Sequence, residues 1–105
     1  MISAMLGVEG VRRAQEIYGK RPLKGEEVRW GLENLSIDAK RIDALGLTGV
    51  MRPISTSCQD HMGASFARVH TWDGAKFTWS SDWLQGDEQI IKPMVDAAAK
   101  KYAAE

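Results

Sequence analysis

The chain has 105 residues, 44% hydrophobic and 27% charged, which gives room for one small domain and excludes a disordered composition. Its 14 basic and 14 acidic side chains balance, and Lys and Arg form no block or stripe, which excludes a nucleic-acid backbone binder and a polybasic membrane anchor. The single cysteine, Cys58, excludes an internal disulfide.

No stretch reaches the length of a membrane span. Residues 1–10 lack the basic start and long apolar run of a signal peptide and carry Glu9. If the parent protein is exported, its address is expected outside this chain.

The first predicted helix covers residues 2–18, with Ile2, Met5, Leu6, Ala14, Ile17 and Tyr18 near one another at helical spacing. Gly7 and Gly10 each cost it about 1 kcal/mol of helix propensity, so the helix is expected to lie close against a neighbour. Gly19 ends it and Pro22 prevents an immediate restart. A second helix starts near Gly25, with Glu26 and Glu27 at the positive end of its dipole and Val28, Leu32 and Leu35 as its stripe. Ser36 or Asp38 caps a third, short helix that runs to Leu45 and stops at Gly46, with Ile42 and Leu45 inward.

Residues 47–65 show no periodicity, and their Gly, Pro, Ser and Thr content predicts a long loop. Such a loop in a small domain is usually functional or poorly packed. Residues 66–72 and 76–83 read as two strands around Asp73-Gly74, a hairpin-turn signal. Phe77 and Trp79 alternate with polar residues, so one face is aromatic, and Phe66 and Trp72 are candidates to share it. A lone hairpin is marginal in water, so something is expected behind it. Asp87 opens the last helix, through 105. Pro93 fits only in its first turns, and Ile90, Ile91, Met94, Val95, Ala98 and Tyr102 form its expected buried stripe. The organisation is one partial domain: a helical part over 1–46, a loop over 47–65, a hairpin over 66–84 and a helix over 87–105.

Cys58, Asp60 and His61 form the polar cluster that invites a chemical role. A metal centre needs three or four converging donors, and only His70 and Asp73 could join. A Cys58 nucleophile with a histidine base lacks a third, orienting group. The favoured reading is that Asp60 and His61 bond nearby backbone and hold the loop. The alternative is that the loop reaches a ligand cleft, which makes Cys58, Asp60 and His61 the candidate ligand-binding residues. No metal, cofactor or catalytic residue is expected, and no enzymatic activity. Trp79 is expected in the core. Trp72 and Trp83 stay open between core and a stacking surface, and Trp30, off the helix stripe, points to a meeting surface if exposed.

Several short patterns occur in order. They are Arg13-Ala14 with Tyr18-Gly19, then Pro22-Leu23-x-Gly25-Glu26-x-Val28-Arg29, then Leu45-Gly46-Leu47-x-Gly49. Cys58-x-Asp60-His61-x-Gly63, Trp72-Asp73-Gly74-x-Lys76-Phe77 and Lys101-Tyr102-Ala103-x-Glu105 follow. Together they resemble the C-terminal region of ABC-importer solute-binding proteins of the branched-chain amino-acid kind, the type I periplasmic binding proteins. The resemblance implies α/β parentage, with this piece mainly helices plus a short antiparallel hairpin. It implies two lobes with a ligand cleft between them, in proteins several times longer than this chain. The early helices would pack on one lobe, and the hairpin and last helix near the crossover and the other. The intact parent would be periplasmic or extracytoplasmic, with a small-molecule solute and an ABC permease as partners. The piece alone would bind no solute tightly and would self-associate through uncovered apolar surface. The competing expectation is a small self-associating interaction domain without ligand.

Overall fold

The computed structural model describes residues 1–104; the last residue of the Lys101–Glu105 pattern lies outside them. Helix α1 spans Ile2–Tyr18 and ends at Gly19, whose φ of 92° is a conformation that favours glycine. Helix α2 spans Gly25–Leu32. Its start is secured by Glu27, whose carboxylate accepts the Lys24 backbone N–H at 2.8 Å and pairs with Arg21. The two helices meet where Gly10 and Gly31 face each other. A Cβ on Gly31 would stand 2.1 Å from the Gly10 carbonyl oxygen, and Ala14 fills the same seam. The close approach expected from the glycines of α1 is therefore real at Gly10, while Gly7 has nothing within 4 Å.

Strand β1, Ser36–Ile37, leads into helix α3, Ala39–Ala44. Asp38 is its cap, accepting the Arg41 N–H at 2.8 Å. The helix stops in a Schellman turn. Gly46 adopts φ 70°, its N–H bonds to Asp43 O, and the Leu47 N–H bonds to Ile42 O.

Residues 47–65 are not poorly packed. Leu47 and Met51 join Ile37 and Ile42 as a buried cluster, with Ile2, Met5, Leu6, Leu45, Val50 and Ile54 against it. Strand β2, Ile54–Ser55, pairs antiparallel with β1, Ile37 opposite Ile54. Two-residue strands carry no readable alternation, so this pairing was not legible in the sequence.

Beyond β2 come β3, Phe66–Ala67, and β4, His70–Trp72. Then follow β5, Phe77–Trp79, β6, Leu84–Gln85, and α4, Glu88–Ala103. β4 pairs with β5 around a two-residue turn in which Gly74 has φ 102°. The Asp73 carboxylate accepts the Ala75 and Lys76 N–H groups. Those backbone bonds, Lys76 first, hold its carboxyl below the usual aspartate range. β3 pairs with β6, so the predicted hairpin is an inner and an outer pair, with Ser81–Trp83 as an extra excursion between them. Helix α4 is capped by Asp87, which accepts the Gln89 N–H at 2.9 Å, and carries Pro93 in its second turn as expected.

Burial departs from the sequence reading in the second half. Every buried hydrophobic residue lies between Ala14 and Met51. On α4 no residue is buried; Ile90 is 62% exposed and Met94 67%. Ile91, Val95 and Tyr102 are half-covered. Trp79 is 42% exposed rather than in the core, and Ile17 and Leu32 are also exposed. Trp72 is exposed and Trp83 half-buried, while Trp30 is half-covered by the edge of Tyr18. The apolar periods are present in these segments, but the described residues cover them only in part.

The global dimensions agree. The Cα radius of gyration is 16.2 Å, against about 13 Å for a compact domain of this length. The accessible surface is 7567 Å², against about 5,900 Å² for a compact monomer of this mass. The excess is what a small N-terminal core with an extended hairpin and an uncovered helix must show.

Candidate functional site

The sequence-predicted residues sit on one tight loop after β2. Ser57 and Asp60 exchange backbone hydrogen bonds at 2.9 and 3.1 Å, and the Ser57 hydroxyl accepts the Asp60 N–H. The Asp60 carboxylate accepts the Met62 and Gly63 N–H groups at 2.9 and 3.1 Å. Gly63 takes φ 73°, a position where a Cβ would strike Ile54. Asp60 is thus occupied in shaping the loop, as short-range turn chemistry requires. Cys58 is exposed, and His61, expected to hold the loop through nearby backbone, turns instead to the Glu33 side chain and away from Cys58. Among the described residues no three His, Cys, Asp or Glu side chains gather as metal donors.

The loop delivers His61 to a second cluster that sequence reasoning did not assemble. One oxygen of Glu33, at the C-terminus of α2, accepts hydrogen bonds from Arg29 Nε at 3.0 Å and the Tyr102 hydroxyl at 3.0 Å, and His61 Nε2 lies 3.2 Å from it. The Arg29 guanidinium lies 4.9 Å over the Tyr102 ring, and the His61 ring meets Tyr102 edge-on at 5.2 Å. These groups form the polar wall of a cleft of about 480 Å³ whose other walls are apolar, among them Leu6, Leu35, Ile54 and Met62. A smaller recess of about 290 Å³ beside it is lined by Cys58, His61, Val95 and Ala98. The i, i+4 spacing of Arg29 and Glu33 was visible in the sequence. Tyr102 lies 69 residues from Glu33, and no local pattern announces such a contact.

Chemically, Glu33 is a tether. It joins α2, the Ser57–Gly63 loop and the last turn of α4 through a single carboxylate. A Tyr102→Phe variant is expected to lose about 1 kcal/mol of local stability, the net worth of a typical intramolecular hydrogen bond. Amide exchange in the last two turns of α4 should rise about five-fold while α1 stays unchanged. Equal exchange in both proteins would show that the hydroxyl tethers nothing.

No protein-family model matches the chain, and no curated protein matches it. Among solved structures there is a strong likeness. It covers 98% of this chain at 45% identity with a TM-score of 0.83. That structure is described as an ABC transporter permease from the Pseudomonas fluorescens group. The chain spans about a quarter of its length.

This finding corrects the resemblance drawn from the sequence. The expected kinship with the C-terminal region of a branched-chain amino-acid solute-binding protein is overturned, because the matched structure is described as a permease and not as a solute-binding protein. The patterns behind the resemblance were individually unspecific, and their order alone decided it. A likeness at 45% identity along nearly every residue outweighs them. The role of capturing branched-chain amino acids falls with it, and the free-standing self-associating domain gains no support either. Among the described residues no helix is long and apolar enough to cross a membrane.

Proposed function

We propose that this chain is one part of a longer ABC-transporter protein of the permease kind, and that it serves there in assembly rather than chemistry. The observation that carries the reading is the 45% identity held over 98% of the chain. The distribution of burial supports it. The helical part has its own small core, whereas the hairpin and α4 present Trp72, Phe77, Leu84, Ile90 and Met94 to solvent. Large apolar side chains left uncovered on both the hairpin and α4 fit a part whose covering surfaces lie elsewhere in a longer protein. The chain has no catalytic role in this reading. Its acidic groups there already have partners, since Glu33 accepts from Arg29 and Tyr102 and Asp60 from two backbone N–H groups. For the same reason the 105 residues alone bind no small molecule tightly.

The test is replacement. In the matched Pseudomonas protein, the corresponding quarter is exchanged for this chain. The chimera is expected to unfold in one cooperative transition and to retain the transport phenotype of its parent in a deletion strain. A chimera that accumulates but unfolds in two separate steps, with the phenotype lost, would overturn the proposal.

A further inference from the structure

The ladder of the inner hairpin fixes which backbone groups are spare. The Ser80 N–H bonds to Val69 O and the Asp73 N–H to Lys76 O. Pairs 69/80 and 73/76 are therefore hydrogen-bonded positions, and by alternation His70–Trp79 and Trp72–Phe77 are not. Two consequences follow. The four aromatic side chains stand at the closer type of pair, on one face, with His70 and Trp79 ring centroids 3.7 Å apart and Trp72 and Phe77 5.1 Å apart. The N–H and C=O groups of these four residues point away from the ladder, toward the open edges of β4 and β5.

The two edges are not equivalent. On the β5 side the chain leaves the ladder at Ser81–Trp83 before β6, and such an irregularity blunts an edge. On the β4 side, β3 and β4 follow one another with only Arg68 and Val69 between them. Shortness is the one protection these strands have. The segment holds no proline, and its one charged side chain, Arg68, folds its guanidinium 4.1 Å over the Trp79 ring and donates to Ser81 O. The opposite face of the hairpin carries Thr71 bonded to Ser80, with Thr78 and Val69 beside them. An edge with one aromatic and one mostly polar face is the form of a strand in a sheet that is covered on only one side.

We propose that β3 and β4 together accept a third strand along residues 66–72, supplied by the remaining three quarters of the longer protein, with apolar side chains packing on Trp72, Phe77 and Trp79. The mode is β-augmentation: backbone hydrogen bonds give the affinity and the aromatic face gives the register. The occupant is the rest of that protein because the matched chain carries about four times this chain's length and aligns with nearly all of it. The inference rests on the reading given under Proposed function.

Amide exchange by mass spectrometry tests it in two samples, the 105-residue chain and the Pseudomonas chimera. Peptides covering residues 66–72 are expected to exchange rapidly in the free chain and at least 100-fold more slowly in the chimera. Peptides covering residues 76–80 should change much less. Acrylamide quenching of tryptophan emission should fall in the chimera and recover partly when Trp72→Ser is introduced. A folded, active chimera with residues 66–72 still exchanging freely overturns the strand addition and leaves the reading beneath it intact. A chimera that does not fold overturns that reading, and the added strand with it. A free chain that sediments as a dimer with residues 66–72 already protected overturns the assigned occupant, since a second copy then fills the edge.

Discussion

Replacing Gly31 with alanine is expected to pull α1 and α2 apart and lower the melting temperature by about 10 °C or more. The two effects of the substitution oppose each other, and their sizes decide the sign. Alanine gains about 1 kcal/mol over glycine in a helix interior. Against this, the new Cβ would stand 2.1 Å from the Gly10 carbonyl oxygen and 3.0 Å from the Ala14 Cβ. Both obstacles are backbone or the first atom of a side chain, so neither can rotate away, and the helices must separate. Overpacking of this kind costs about 3 kcal/mol at the upper end of its usual range. The net loss of about 2 kcal/mol converts at 4–8 °C per kcal/mol for a domain of this size. Two neighbours serve as controls. Gly7→Ala meets nothing within 4 Å and should stabilise by up to about 1 kcal/mol. Gly10→Ala meets the Leu32 side chain, which is exposed and can turn aside, so it should fall between. Thermal melts followed by far-ultraviolet circular dichroism rank the three. A Gly31→Ala melt at or above the parent value would show that the seam is looser than its geometry states.

The seam also shows what the sequence could and could not reveal. Gly10 was readable as a point of close approach, but its partner was not, because Gly31 lies on another helix. Element limits were legible where local chemistry sets them. Gly19 and Gly46 stop helices, Asp38 and Asp87 cap them, and Asp73-Gly74 turns the hairpin. Burial was legible mainly in the helical part, and even there Ile17 and Leu32 stand exposed. Periodicity in α4 reports an apolar stripe and says nothing about whether a neighbour covers it, so Ile90 and Met94 read as core and stand in solvent. Trp79 misled for the same reason. At the candidate site, the turn role of Asp60 was legible because its partners are two and three residues away. The convergence of His61, Arg29 and Tyr102 on Glu33 depends on three separate elements meeting, which no spacing encodes. Glu9 was hidden in plain view. It continues the Ile2, Met5, Leu6 face of α1, and a carboxylate on such a face needs a cationic partner from another element.

That partner is Arg41, and Arg41→Ala is expected to cost about 2–4 kcal/mol. Glu9 is only 2% exposed, and its carboxylate takes Arg41 in a two-pronged grip, Nε to Oε2 at 3.0 Å and a terminal nitrogen to Oε1 at 2.6 Å. Arg12 adds a third bond at 3.1 Å from one turn further along α1. Removing Arg41 strips two charge-assisted bonds from an anion that water barely reaches. Breaking a buried pair this way usually costs about 3–5 kcal/mol. The remaining Arg12 contact and the outward position of Arg41 lower the figure here. The reverse deletion, Glu9→Gln, keeps the shape and leaves both cations near solvent, so it should cost less. Replacing both partners, as Glu9→Leu with Arg41→Met, should recover most of the loss, because no unpaired charge remains. The pair also sets an acid limit. The Arg41 hydrogen bonds, chiefly, hold the Glu9 carboxyl below its ordinary value of 4.5. A carboxyl with a depressed folded-state pKa contributes stability that is complete above the ordinary value and is lost as pH falls below it. Urea denaturation across pH 7 to 3 should therefore show a steeper acid decline for the parent protein than for Arg41→Ala. Parallel pH profiles, or a cost under about 0.5 kcal/mol at neutral pH, the range of an ordinary exposed pair, would mean that α3 is held to α1 by the Ile37 and Ile42 cluster alone.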